Sequence, residues 1–115
     1  MNELVAALTE ERRGHPRYRA GPGACLFRVL SPQGEVLGRA APEGVSAGGA
    51  LLLSPHLLPV GGAVVLEVLP PHPLAGRSLG FRVLRCVELA DGGHLLAGTF
   101  VPTLSDEEVR GLAGG

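Results

Sequence analysis

What most limits the fold open to this chain is the shortness of its apolar runs, each of which glycine or proline closes off. "ACLFRVL" (24–30), "EVLGRAA" (35–41), "GALLLS" (49–54), "AVVLEVLP" (63–70), "SLGFRVLRCVEL" (78–89) and "HLLAGTFV" (94–101) all read as strands. Six strands in so short a span leave a meander or a small barrel, and so an all-β domain. Alternation agrees. Cys25, Phe27 and Val29 share one face of the first run with Arg28 on the other, and Val64, Leu66 and Val68 oppose Glu67 in the fourth. Each strand is thus expected to be buried on one side and wet on the other.

The 18 glycines and 10 prolines punctuate these runs instead of forming low-complexity tracts. "SPQGE" (31–35) and "ADGGH" (90–94) have the residues of hairpin turns. Leu4, Val5 and Leu8 have helical spacing and predict a short helix within residues 1–12. Pro16 disfavours helix at the residue before it, which makes 13–21 an extended, arginine-rich linker. The barrel is then expected over 22–104. Ser105 and Glu108 form a capping-box pattern ahead of Val109 and Leu112, so a C-terminal helix over 105–115 is expected to cover one barrel mouth. At 115 residues the whole is one domain.

A net charge of −1 gives no broad attraction for DNA or anionic lipid. No apolar stretch approaches the roughly 18 residues of a membrane span. "LVAAL" lacks a basic flank and is not read as a signal peptide. The expectation is a cytoplasmic protein without membrane insertion, and two isolated cysteines, Cys25 and Cys86, suit that compartment. The four histidines, His15, His56, His72 and His94, have no partner at ligand spacing, so no metal is expected. No nucleophile stands beside a base and no carboxylate pair marks a hydrolase, so an enzyme is not expected. One Tyr, three Phe and no Trp are too few aromatic platforms for single-stranded nucleic acid.

The basic signal is local. Arg12, Arg13, Arg17 and Arg19 fall within eight positions of "ERRGHPRYRAG". A guanidinium is always charged, and its fork of donors matches phosphate oxygens or the O6/N7 edge of guanine. Two or three charge-assisted bonds of about 1.5–3 kcal/mol each, with stacking, reach the ~8 kcal/mol of micromolar binding. A solvated linker paired with Glu10 and Glu11 is the plainer reading of the same residues. Tyr18 is expected to pack under the linker. A second stretch, "EGVSAGGALLLS" (43–54), places Ser46 before Gly48 and Gly49 at a strand-to-strand turn where a ligand can come close to the backbone. Further on, Arg82 is expected in solvent and Arg85 on the side of Val83.

Taken together, Arg12, Arg13 and Arg17 in "RRGHPR", Ser46 and Gly49 in "SAGG", and Gly98 and Phe100 in "AGTF" resemble the PilZ family over about residues 10–112. The resemblance implies a six-stranded antiparallel β-barrel with short N- and C-terminal helices. It also implies a non-enzymatic receptor for cyclic di-GMP, needing no cofactor beyond that ligand, that signals in bacterial second-messenger pathways such as motility to an unidentified effector protein. Arg13 and Arg17 would be the paired arginines gripping phosphate and guanine, with Arg12 in support. Ser46 and Gly49 would supply the barrel side of the pocket. One departure stands out. The family's acidic or amide residue two before Ser46 is Gly44 here, and Glu43 next to it is expected on the opposite face. That departure keeps a second reading open, a PilZ-like protein-interaction module that has lost nucleotide binding.

Overall fold

The computed structural model describes residues 17–114. Seven strands, β1 (Arg17–Arg19), β2 (Phe27–Leu30), β3 (Val36–Ser46), β4 (Gly49–Ser54), β5 (Ala63–Val68), β6 (Ser78–Glu88) and β7 (His94–Phe100), precede one helix, α1 (Asp106–Ala113). All neighbours are antiparallel and run β3-β2-β5-β6-β7-β4, and pairing of β4 back onto β3 closes the six into a barrel. β1 is a seventh strand laid on the end of β3. The six expected strands are all present. The helix expected within 1–12 lies outside the described residues.

Alternation builds the interior. Phe27, Val29, Leu52, Leu66, Val83 and Leu96 are fully enclosed, and Phe81 meets Phe100 edge-on at 5.3 Å between ring centroids. The two expected hairpins close as read. Gly34 and Gly92 take φ of +93° and +90°, a region in which side chains are disfavoured. Ser31 Oγ accepts the backbone N–H of Gln33 and Glu35 in the first of them. The second expected strand stops at Ala41, but β3 continues through Pro42 to Ser46. Pairing with β4 and β1 carries it past the proline.

Helix α1 starts where the sequence places it. Ser105 Oγ accepts the Glu108 N–H at 3.1 Å, and Glu108 Oε1 accepts the Ser105 N–H at 3.0 Å. Val109, Leu112 and Ala113 join the barrel core, so the helix plugs one mouth. The backbone of the strap leading into β2 fastens it there, with Gly21 N–H donating to Ala113 O and Cys25 N–H to Leu112 O.

Besides a register shift between β2 and β3 at Val29/Leu30, two irregularities shape the outer surface. Between Pro42 and Gly44, and again between Val83 and Arg85, the ladder carries an extra residue. The second reverses an expectation. Val83 faces the core opposite Gly98, whereas Arg85 stands opposite Ala97 and is exposed. Arg85 therefore does not share the Val83 side, because the bulge at Leu84 resets the period of two. Arg82 is exposed as expected.

Candidate functional site

The segment read as a linker enters the described structure as a strand. β1 is three residues long and pairs Arg17 with Ser46, Tyr18 with Val45 and Arg19 with Gly44. Its alternation divides the labour. Arg17 and Arg19 are exposed on one face, while Tyr18 turns to the other, where Val45 is buried and the core begins. Tyr18 OH donates to Asp106 Oδ1 at 3.1 Å, and the Arg110 guanidinium lies 5.8 Å from the tyrosine ring centroid. The tyrosine thus moors β1 to α1 and leaves both arginines facing outward.

Those arginines border a cleft of about 440 Å³ whose described lining is Arg17, Arg19, Glu43, Gly44 and Leu51. Leu51 belongs to a small apolar cluster with Ala97 and Leu95, separate from the barrel core and on its outer face. The cleft therefore joins two guanidinium groups, a carboxylate and an apolar floor. Ion pairs among the described residues are Arg28 with Glu67, Arg77 with Glu108, and Arg110 with Asp106. Arg17, Arg19 and Glu43 are in none of them.

Glu43 faces the cleft because of the first bulge. Pro42 stands opposite Leu52, Gly44 opposite Leu51 and Val45 opposite Ala50, so Glu43 and Gly44 together oppose one residue. Pro42 and Val45 are both buried although three apart; between them Glu43 is exposed, and Gly44, itself buried, stands opposite Leu51 of the outer cluster and not opposite a core residue. The expectation that Glu43 lies on the face opposite Gly44 is corrected here. Strict alternation holds only while the ladder is regular.

Ser46 and Gly49 are brought together, but with each other. Ser46 is fully buried, and its Oγ accepts the Gly49 N–H at 3.2 Å and donates to Gly49 O at 3.3 Å. Both capacities of the hydroxyl close the β3–β4 turn, which sits directly across from Arg17. Arg12 and Arg13 lie outside the described residues. Arg19 and Glu43 were not among the expected site residues. Positions 17 and 19 share a face as soon as 17–19 is taken as a strand, which is the signal that finds Arg19. Nothing local to "APEGV" announces the bulge that turns Glu43 outward.

No family model matches the sequence, and no curated protein matches it. Solved structures do resemble it. The PilZ domain with c-di-GMP of YcgR from Escherichia coli superposes with a TM-score of 0.59 at 17% identity, over 89% of this chain and 88% of that one. The K. pneumonia MrkH–c-di-GMP complex gives a TM-score of 0.59 at 17% identity over 88% of this chain. A second MrkH structure, described as a c-di-GMP-dependent transcription regulatory factor, gives 0.52 at 16%. This chain spans about half the length of MrkH, at 49%. By fold, then, the chain is a PilZ-like domain. Among the described residues no helix is long and apolar enough to cross a membrane.

Proposed function

We propose that this PilZ-like domain is a non-enzymatic receptor for cyclic di-GMP that passes the binding event to an effector protein. The observation that carries the reading is the placement of Arg17 and Arg19 on one face of β1, outside the described ion pairs, at a 440 Å³ cleft. The ligand is a cyclic dinucleotide with two anionic phosphates, and guanidinium forks bind such oxygens through charge-assisted bonds. The likeness to domains solved with c-di-GMP supports the same choice. Arg12 and Arg13 would add to the grip from the chain preceding β1. Gly49 and Ser46 would contribute a shaped turn beside Arg17 more than a free hydroxyl. Binding would tighten β1 on the barrel, the kind of change that alters a surface offered to a partner.

Calorimetric titration with cyclic di-GMP tests the reading. Saturable heat is expected, with Arg17→Ala and Arg13→Ala each weakening binding by about tenfold or more. The absence of heat at high micromolar ligand would favour the interaction module instead. Ser46, with its hydroxyl consumed inside the turn, is the observation on that side.

A further inference from the structure

The early half of β3 carries a second cavity, of about 450 Å³, lined by Arg28, Val36, Leu37, Gly38, Arg39 and His56. It shares no described lining residue with the cleft at Arg17 and Arg19. Arg28 and Arg39 stand directly opposite each other in the β2–β3 ladder, and both are exposed on its outer face. Like charges so placed repel. Arg28 is compensated by Glu67, its opposite on β5, which accepts the Arg28 Nε–H at 2.7 Å. Arg39 is in none of the ion pairs among the described residues. The His56 ring is seated beside it. A Cβ at Gly38 would lie 2.5 Å from His56 Cδ2, so the bare glycine backbone is the seat of the imidazole. Ser54 Oγ sets the approach of that loop to the strand, accepting the His56 backbone N–H at 3.1 Å and donating to Arg39 O at 2.5 Å.

We propose that this cavity is a second anion site, which takes the phosphoryl group of a small phosphate ester with Arg39 and His56 as its principal donors. The inference does not depend on what the Arg17/Arg19 cleft binds. Arg39 offers a charged fork of N–H groups, an imidazole ring offers at least one N–H in either protonation state, and Arg28 has donors left over after its bond to Glu67. These three side chains come from three separate segments, β2, β3 and the loop after β4, so they approach the cavity from different sides. A phosphoryl group, with three oxygens spread around phosphorus, can accept from several directions at once, whereas a carboxylate presents two oxygens in one plane. An anion held there also lowers the repulsion between the facing arginines, which supplies part of the binding energy. The volume exceeds that of a bare phosphate, and the remainder is bordered by exposed Val36 and half-buried Leu37, which suits the organic part of an ester.

The test is an amide-resolved NMR titration of the full chain with phenyl phosphate, inorganic phosphate and benzoate, on wild type and Arg39→Ala, after thermal melts confirm an unchanged fold. Arg39 is exposed, so the substitution is expected to leave the melt in place. Wild type is expected to show saturable shifts at Gly38, Arg39 and His56 with phenyl phosphate at about millimolar concentration or below, with weaker binding of phosphate alone and of benzoate. Arg39→Ala should lose roughly ten- to hundredfold in affinity for phenyl phosphate. His56→Ala, which removes an exposed ring and keeps both arginines, should lose several-fold and carries the test should Arg39→Ala melt early. Shifts that grow without saturating overturn the assignment, as do shifts that fall at Arg17, Arg19 and Gly44 instead, or variants that bind as tightly as wild type. Benzoate binding as tightly as phenyl phosphate would make the cavity a general anion patch and overturn the phosphoryl assignment.

Discussion

Tyr18 and Asp106 are 88 residues apart in sequence and 3.1 Å apart in space, and their hydrogen bond ties the arginine-bearing strand to the helix that plugs the barrel. Arg110 completes the junction, bonding Asp106 at 3.0 Å while lying against the tyrosine ring.

Replacing Tyr18 with phenylalanine keeps the half-buried ring and removes the tether. Stability is expected to fall by about 0.5–1.5 kcal/mol, seen as a lower denaturant midpoint at unchanged slope. Ligand affinity is expected to fall as well, because β1 then positions Arg17 and Arg19 less firmly. A loss of stability with no change in binding would detach the tether from the site.

Two glycines that look alike in sequence are expected to respond in opposite ways to alanine. At Gly98 an added Cβ collides with the Arg82 carbonyl oxygen and the Phe81 ring, neither of which can withdraw without moving the barrel wall. Gly98→Ala should cost about 1–3 kcal/mol through overpacking, lowering the melting temperature by several degrees. Gly44→Ala meets its neighbours at 3.8 Å, and its stability should stay within about 0.5 kcal/mol of wild type. Similar melts for both variants would contradict the packing described here.

Acidification should unfasten α1. The Glu108 carboxyl is held below its ordinary value chiefly by accepting the Ser105 N–H, with Arg77 assisting and burial opposing. A carboxyl depressed in the folded state contributes its full stabilisation above the unfolded value, and loses it as pH falls through the folded one. Urea unfolding from about pH 7 to about pH 3 should therefore show the advantage of wild type over Glu108→Gln shrinking as the pH drops. A constant difference would exclude the linkage.

The cysteines should separate under alkylation. Burial pushes the Cys25 thiol up to about 12, and only 2% of the residue is exposed, so the reactive thiolate is scarce and shielded. Cys86 is half-buried. Native protein at mildly alkaline pH is expected to take up one equivalent of a small alkylating reagent, and denatured protein two.

How far the sequence could be read depended on whether a feature is local. Hairpins at Gly34 and Gly92 and the Ser105/Glu108 box are written within five residues each, and they stand where they were expected. Strand faces also followed from alternation, from Cys25 to Val29 and from Val64 to Val68. The reading broke at Glu43 and Arg85. Whether a residue is surplus to a ladder depends on how Leu51 and Leu52, or Gly98 and Ala97, line up across from it, and no nearby residue records that. β1 escaped for the same reason. Three residues between Pro16 and Ala20 have no pattern of their own, and it is the late part of β3 that makes them a strand.

That short ribbon is shared between two parts of the barrel: its guanidinium groups border the cleft on one side, and its phenol is bonded to the plugging helix on the other. Three residues of backbone thus stand between the cleft on the flank and the plug at the mouth, and the position of the one constrains the position of the other.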